Sequence, residues 1–279
     1  MSLATLDATD KHVPELESTL WTQERTGASV SVVIPVRNEE RNIEWVLGRL
    51  PTYVDEVVIV DGFSTDKTLA KARSVRPDVV VVQQRGSGKG SAMRTGFETA
   101  TCDYIVVLDA DCSMDPAEID YYVDALAQGY DFVKGSRFLR GGGSHDLTSI
   151  RKWGNSALTR SVNMMWGVPF SDLCYGYVAF KREVLDELAP TATGFEIETE
   201  MCVHAVKANL RIAEVPTVEL PRKFGASNLN AWRDGKRILN LLLRERLAVE
   251  PTVVDALDRR GVGAPHGHAA LSSIPSAAF

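Results

Sequence analysis

The stretch Tyr104-Ile105-Val106-Val107-Leu108-Asp109-Ala110-Asp111 decides the fold and points to the chemistry. Its first five residues form an apolar run that is rich in β-branched side chains and too short for a typical helix, which predicts a buried strand. Two carboxylates follow one residue apart, and burying them is costly unless a cation or hydrogen bonds compensate. Because Mg²⁺ favours one or two carboxylates plus phosphate oxygens, the pair could hold a metal-bound diphosphate. A solvated turn is the alternative interpretation.

Strands and helices alternate around this run. Apolar strands are predicted at 30–35, 56–60, 79–82 and 104–108, and helices at 38–50, 65–73, 90–100 and 116–128. This alternation predicts an α/β fold with a mostly parallel sheet that carries helices on both faces. Ligands of such open sheets bind beyond the carboxyl ends of the strands. We therefore expect the polar residues at 35–39, Asp61 and 109–111 to gather at one edge of the sheet.

The second half of the chain is less regular. Strands are predicted at 131–137, 175–180 and 211–218, and helices at 150–166, 198–208 and 232–247. The helix at 232–247 mixes leucines with basic residues, so it could pack on the core or lie on an anionic membrane. We predict an N-terminal arm at 1–28, a main domain at 29–228, an amphipathic helix at 229–249 and a disordered tail at 250–279.

Composition excludes several classes of protein. The chain has 279 residues, of which 44% are hydrophobic, so it can form one large globular domain. A net charge of −6 gives no electrostatic basis for binding nucleic acid. No apolar run is long enough for a membrane span, and residues 1–28 lack a signal-peptide core. Four cysteines without metal or disulfide spacing fit a reducing cytoplasm, with peripheral contact at the inner membrane face as an option.

Three common catalytic motifs are missing or incomplete. The segment Gly86-Ser87-Gly88-Lys89-Gly90 lacks the spacing of a P-loop, although its free N–H groups and Lys89 suit a phosphate neighbour as well as a solvated turn. No dinucleotide fingerprint follows the first strand, which argues against a nicotinamide enzyme. The histidines show no zinc-binding pair, and the serine-hydrolase elbow is absent.

Seven short motifs follow one another along the chain: Ser31-Val-Val-Ile-Pro-Val-Arg-Asn-Glu39, Val60-Asp-Gly-Phe-Ser-Thr-Asp66, Gly88-Lys-Gly90, Asp109-Ala-Asp-Cys-Ser113, Gly135-Ser-Arg-Phe138, Asp172-Leu-Cys-Tyr-Gly-Tyr177, and Glu214-Val-Pro216 with residues 222–227. In this order they resemble the family-two glycosyltransferases, which have the GT-A fold. The last three resemble the dolichyl-phosphate-mannose synthase branch of that family. The resemblance covers about residues 30–228.

The resemblance implies roles on the donor side of the site. The residues that frame the nucleotide in the family correspond to Pro35, Asn38 and Glu39, and the aspartate that contacts the base corresponds to Asp61. The implied donor is a nucleotide diphosphate sugar such as GDP-mannose or UDP-glucose. Lys89 is a further candidate, as a cation beside the donor phosphates.

The resemblance also implies where the metal and the phosphates bind. Asp109 and Asp111 would bracket a diphosphate held by Mg²⁺ or Mn²⁺, with Asp111 as the direct ligand. Three cations would neutralise phosphate: Arg137, Arg222 and Lys223. Asp172 belongs to the acceptor-side motif. The chain departs from the branch at 174–177, where Cys-Tyr-Gly-Tyr replaces Thr-Ser-Gly-Phe, and at Asn228, where lysine is common.

We therefore predict a metal-dependent, inverting hexosyltransferase that acts on a polyprenyl-phosphate acceptor. A lipid phosphate is already ionised, whereas a soluble hydroxyl acceptor would require a general base, for which Asp172 and Glu196 are candidates. Asp172 could also be a turn residue, and Glu196 a charge at the start of a helix. A soluble acceptor, and more remotely a nucleotidyltransferase or a sugar-nucleotide-binding protein, are the alternatives. In each case we expect no nucleic acid partner.

Overall fold

A computed structural model describes residues 4–5, 27–225 and 231–248. The strands are β1 (Ala4–Thr5), β2 (Val30–Val36), β3 (Glu56–Asp61), β4 (Val80–Gln83), β5 (Tyr104–Val107), β6 (Phe132–Ser136), β7 (Gly143–Ser144), β8 (Val178–Lys181), β9 (Ile212–Pro216) and β10 (Val218–Glu219). The helices are α1 (Ile43–Leu47), α2 (Thr68–Val75), α3 (Lys89–Thr99), α4 (Ile119–Ala127), α5 (Ser149–Trp166), α6 (Leu185–Leu188), α7 (Ile197–Lys207) and α8 (Ala231–Leu247). Single 3₁₀ turns precede α4 and α6, at Pro116–Glu118 and Arg182–Val184.

The sheet is mostly parallel, as the alternation of elements predicts. Its eight strands run in the order β1-β9-β6-β8-β5-β2-β3-β4. β2 is an interior strand and pairs in parallel with both β3 and β5. β8 is antiparallel to its neighbours β5 and β6. The short β7 and β10 form a separate parallel pair. The predicted GT-A-like architecture is therefore confirmed.

Alternate residues of β2 pack into two apolar layers, one on each face of the sheet. Val32 and Ile34 face a cluster that includes Ile119 and Leu126 of α4. Val33 faces the opposite cluster, which includes Met93 and Phe97 of α3 and Met201 of α7. Burial on both faces explains why the parallel strands are apolar at almost every position and do not alternate with polar residues.

The chain divides into two compact units, residues 1–245 and 246–279. The first unit contains the sheet and most of α8. Along α8, Ile238, Leu241 and Leu242 are buried, which agrees with a helix that packs on the core. The predicted tail at 250–279, Asn228 and nearly all of the arm at 1–28 lie outside the described residues. Of the arm, Ala4–Thr5 pairs in parallel with β9.

The predicted helix at 38–50 is shorter in the structure. It begins only at Ile43, because Asn38 takes a left-handed conformation (φ 59°) and residues 38–42 form turns. The spacing of apolar residues alone does not predict this turn of the chain after β2. Among the described helices, none has both the length and the apolar character required to cross a bilayer.

Candidate active site

The carboxyl ends of β2, β3 and β5 form one edge of the sheet, because the three strands are parallel neighbours. The turns after β2 and β3 are tied together there. Asn38 accepts a hydrogen bond from the Thr65 N–H (2.8 Å), and the Ser64 hydroxyl accepts one from the Asn38 N–H (3.0 Å). Asp61 is buried and accepts a hydrogen bond from the Ser64 N–H (3.0 Å). The two turns are therefore fixed in position next to the end of β5.

Pro35 lies one residue before the end of β2, opposite Val60 of β3. The pairing of β2 with β5 stops at Val33, so the missing N–H of Pro35 costs no hydrogen bond to that strand. The chain is then free to turn at Asn38. Pro35 thus lies at the end of β2 that leads into the candidate nucleotide site, and its contact with the nucleotide stays a prediction.

Asp109 lies in a partly buried ion-pair network with Lys89. The Lys89 ammonium lies 2.8 Å from Asp109 Oδ1 and 2.7 Å from Glu198 Oε1. Burial opposes the charged form of Lys89, but the charges of Asp109 and Glu198 outweigh it, so the pKa of Lys89 is raised. Burial raises the pKa of Asp109; Lys89 opposes the shift and the charge of Asp111 reinforces it. The lysine therefore belongs to the site and is not a solvated turn residue.

Asp111 contacts a different cation. Its Oδ2 atom lies 3.2 Å from the Arg222 guanidinium, and its Oδ1 atom accepts hydrogen bonds from the Ser113 N–H (3.0 Å) and hydroxyl (2.6 Å). The segment that carries Arg222 is held across the end of β5, because the Leu220 N–H donates to the Ser113 carbonyl (2.8 Å). Lys223 lies over the ring of Trp45, with its ammonium 4.1 Å from the ring centroid.

Glu39 is the third carboxylate of this edge. It accepts a hydrogen bond from the Asn42 side chain (2.6 Å). Burial raises the pKa of Glu39, and the hydrogen bond from Asn42 opposes this shift, while the charges of Asp111 and Asp109 add to it. The charges of Asp109 and Asp111 thus add to the effect of burial on Glu39, and a cation beside these carboxylates would favour their charged forms.

Arg137 and Asp172 form a buried pair in which the carboxylate is fully hydrogen-bonded. Asp172 accepts hydrogen bonds from Arg137 Nε (2.7 Å) and Nη2 (3.1 Å) and from the Asn155 side chain (3.0 Å). Burial raises the pKa of Asp172, but the charge of Arg137 outweighs it and the pKa is lowered. A second arm of Arg137 bonds Glu219 (3.0 Å). Asp172 thus has no free oxygen in this geometry, whereas Arg137 keeps N–H groups that could donate to a phosphate. The catalytic roles of both residues stay predictions.

Glu198 is a partner of Lys89 that the sequence does not predict. The segment Gly194-Phe-Glu-Ile-Glu198 contains two glutamates, of which the sequence makes only Glu196 a candidate base, as an alternative to a charge at the start of a helix. In the structure Glu196 pairs with Arg237 (3.2 Å), whereas Glu198 pairs with Lys89. Because residues two apart on a helix face different directions, only the register of α7 distinguishes them. The close approach of Gly176, where a Cβ would lie 2.5 Å from Glu198 Oε1, places the predicted acceptor-side motif next to this pair.

Comparison with known proteins identifies the family. Residues 31–189 match the family described as Glycosyl transferase family 2. The chain is 36% identical over 234 residues to glycosyltransferase AglJ of Haloferax volcanii, covering 81% of this chain and 75% of the relative. It is 29% identical over 226 residues to the dolichol-phosphate mannosyltransferase of Pyrococcus furiosus, covering 76% of this chain and 61% of that longer protein.

Solved structures agree on the fold. Glucosyl-3-phosphoglycerate synthase from Mycobacterium tuberculosis, in a complex with Mn²⁺, UDP and glucosyl-3-phosphoglycerate, superposes with a TM-score of 0.69 at 22% identity and covers 90% of both chains. The fold and the carboxylate edge therefore define a GT-A glycosyltransferase. The chain belongs to glycosyl transferase family 2, as its motifs predict.

Proposed function

We propose that the protein transfers a hexose from a nucleotide diphosphate sugar to a polyprenyl phosphate, with a divalent cation and with inversion at the anomeric carbon. The observation that carries the proposal is the cluster of Glu39, Asp109 and Asp111 at the carboxyl end of β5, with Lys89 and Arg222 as its cations. Transfer leaves negative charge on the departing diphosphate, and such a cluster of cations would stabilise that charge.

The donor set fits Mg²⁺ or Mn²⁺. Both ions favour carboxylate oxygens, and the cluster provides three carboxylates, Glu39, Asp109 and Asp111. Asp111 would be a direct ligand, with Asp109 beside it. When bound, the ion would act as a Lewis acid toward the diphosphate oxygens. Arg222 contacts Asp111 and would turn toward the donor phosphates when the cation takes its place.

The nucleotide would lie along the ends of β2 and β3. Asn38 and Asp61 fix the two turns there, and Pro35 and Glu39 flank the first of them. Lys89 and Lys223 would contribute positive charge on either side of the diphosphate. The structural neighbour binds UDP and a relative is named as a mannosyltransferase, so we propose UDP-glucose and GDP-mannose as the donors to test first.

A chain of ion pairs connects the carboxylate cluster with the start of α5. Arg222 bridges Asp111 (3.2 Å) and Asp146 (3.5 Å), and Asp146 lies 4.0 Å from Arg151. Beside Arg151, the apolar side chains of Ile150 and Trp153 are 72% and 76% exposed. Basic residues beside exposed apolar ones suit a phosphate headgroup on a hydrocarbon chain. This placement supports the lipid-phosphate acceptor.

An ionised phosphate acceptor attacks without help from a general base. The saturated pairing of Asp172 with Arg137 is in keeping with this mechanism, because Asp172 has no free oxygen directed at an acceptor. We propose instead that Asp172 positions Arg137, and that Arg137 and Glu219 stabilise the loop that leads to α5. Glu198 would hold Lys89 in place beside the donor.

The test is a transfer assay with the full chain. Purified protein is incubated with labelled GDP-mannose or UDP-glucose, Mn²⁺, and polyprenyl phosphate in detergent, and the label in the lipid phase is counted. We expect label in the lipid only when the acceptor carries phosphate, and none after EDTA. Asp111→Asn should reduce turnover by about three orders of magnitude or more, because a metal ligand acts on the transition state. The exposed Asp186→Asn is the matched control.

Two outcomes would contradict the proposal. Transfer to soluble hydroxyl acceptors but not to polyprenyl phosphate would reassign the acceptor while leaving the donor site intact. Equal turnover of Asp111→Asn and Asp186→Asn would remove the metal role of the carboxylate cluster.

A further inference from the structure

A cleft separate from the carboxylate cluster lies between the segment 191–196 and α8. Its volume is about 360 Å³, within the range of small-molecule sites. The polar residues that line it are Thr191, Thr193, Glu196, Arg237, Asn240 and Arg244. None of these side chains belongs to the ion-pair network around Asp109 and Asp111, so the function proposed above leaves the cleft unused.

The α8 side of the cleft presents two guanidinium groups. Arg237 and Arg244 are seven residues apart, which places them on one face of the helix, two turns or about 10 Å from each other. Arg237 Nη2 contacts Glu196 (3.2 Å) and the Thr193 hydroxyl (3.3 Å). Arg244 lies 3.5 Å from Glu200 and is mostly exposed. Since each guanidinium has five N–H donors, both retain donors for an anion in the cleft.

The opposite wall presents an acceptor that lacks a donor. Glu196 Oε1 accepts hydrogen bonds from the Gly194 N–H (3.2 Å) and pairs with Arg237. Glu196 Oε2 is buried and has no hydrogen-bond partner within the described ranges. The residue is 8% exposed, so this oxygen gains little from solvent. A buried carboxylate oxygen without a donor is costly, and a ligand hydroxyl would remove the cost.

We propose that this cleft binds a small phosphate monoester that carries hydroxyl groups. The phosphate would lie between Arg237 and Arg244, whose planar forks match its oxygens, with Asn240 between them on the same helix. A hydroxyl of the ligand would donate to Glu196 Oε2. A single anion without hydroxyls would leave that oxygen unsatisfied, and a neutral sugar would leave the arginines without an anion.

The wall of the cleft also touches the helix that carries Lys89. The Thr193 carbonyl accepts a hydrogen bond from the Ser91 N–H (3.3 Å) near the start of α3. A Cβ at Gly90 would lie 2.4 Å from the Ala192 carbonyl oxygen, so the two backbones are in direct contact. A ligand in the cleft would therefore press on the segment that supports the donor side of the active site.

Calorimetric titration of the full chain tests the site with three probes: glucose 6-phosphate, glucose and inorganic phosphate. Mn²⁺ with excess UDP and GDP is present throughout, to occupy the carboxylate site. We expect glucose 6-phosphate to bind at least about tenfold more tightly than either fragment, because both walls are then used. Arg237→Ala and Asn240→Leu should each weaken this binding about tenfold or more. Arg233→Ala, which removes a charge from the same helix outside the cleft lining, should not.

Glu196→Ala separates the two halves of the site. It removes the acceptor and frees Arg237, so inorganic phosphate should bind at least as well as before while the advantage of glucose 6-phosphate disappears. The proposal is overturned if glucose 6-phosphate produces no saturable heat, or if Arg237→Ala and Arg233→Ala bind it equally. A parallel titration of the unmodified protein omits the nucleotides. Glucose 6-phosphate binding that occurs only in their absence would also overturn the proposal, because the ligand would then occupy the carboxylate cluster.

Discussion

At the scale of single residues, charge pairing decides what each carboxylate can do. Asp109 and Asp111 are partly buried and Asp172 is fully buried, and the three carboxylates have different partners. Asp109 and Asp111 each face one cation and repel other carboxylates nearby, whereas Asp172 is enclosed by Arg137 and Asn155. The first two are suited to a divalent cation, and the third to holding a loop in place.

Lys89 is expected to contribute both to stability and to donor binding. Lys89→Met would leave Asp109 and Glu198 without their cation, and breaking such a buried pair costs on the order of 3–5 kcal/mol. The variant should therefore unfold at lower urea concentration and bind the nucleotide sugar more weakly. Lys71→Met removes an exposed pair with Glu44, of the kind that contributes about 0–1 kcal/mol, and is the control. Equal affinity of the two variants for the nucleotide sugar would show that Lys89 does not contribute to donor binding.

The pair of Asp172 with Arg137 predicts a pH dependence of stability. The pKa of Asp172 is lowered in the folded protein, so its contribution is complete above the pKa of an unfolded aspartate and is lost as pH falls through the lowered value. Asp172→Asn should destabilise the protein at pH 7 by about 3 kcal/mol or more. The difference in free energy of unfolding from the unmodified protein should shrink on acidification below about pH 4. A difference that does not change with pH would contradict this assignment.

The sequence predicts site residues whose position follows from the neighbouring residues in the chain. It does not predict site residues whose role depends on a partner far away in sequence. Asp109 and Asp111 follow directly from an apolar strand, so their place at a strand end is predictable. Glu198 is not, because its role depends on which face of α7 meets Lys89, which lies 109 positions away in sequence. Nor could the sequence distinguish Asp172 from a catalytic base, since the decisive contact comes from Arg137, which follows β6 and lies 35 positions away in sequence.

At the level of helices and strands, the parallel strands bring the candidate site residues to one edge of the sheet. Glycines such as Gly90 allow neighbouring backbone segments to come into contact there. The sequence predicts the longer strands and every described helix except the short α6, because the apolar runs are continuous and the helices have clear periodicity. It misses the two-residue strands β1, β7 and β10. It does not predict the antiparallel direction of β8, whose apolar residues would suit either direction. It also overestimates α1, where the turn at Asn38 is set by contacts with the next loop.

Two helical glycines should respond in opposite ways to the same substitution. At Gly90 a Cβ would lie 2.4 Å from the backbone oxygen of Ala192, so Gly90→Ala should lower the free energy of unfolding by about 1–3 kcal/mol. At Gly154 in α5 nothing lies within 4 Å of the new Cβ, and Gly154→Ala should stabilise the protein by about 0.5–1 kcal/mol. Urea unfolding measures both. Equal effects would show that the contact of α3 with residues 192–193 is not tight.

At the scale of the whole molecule, the carboxylate edge and the start of α5 would face a common acceptor. Trp153→Ser should raise the KM for polyprenyl phosphate in detergent or vesicles by about tenfold, because it removes an exposed aromatic anchor, while the KM for the nucleotide sugar stays unchanged. Met164→Ser, at the far end of the same helix and 82% exposed, is the matched control. Identical lipid KM values for the two variants would place the acceptor elsewhere.

The most direct test of the proposed metal site at Asp109 and Asp111 is anomalous diffraction at the manganese edge from crystals soaked with Mn²⁺ and GDP-mannose or UDP-glucose. We predict a manganese peak within about 2.0–2.6 Å of an Asp111 carboxylate oxygen, in contact with the donor diphosphate and with Arg222 displaced from Asp111. A bound nucleotide sugar with no metal at Asp109 and Asp111, or a metal and donor on another surface, would contradict it.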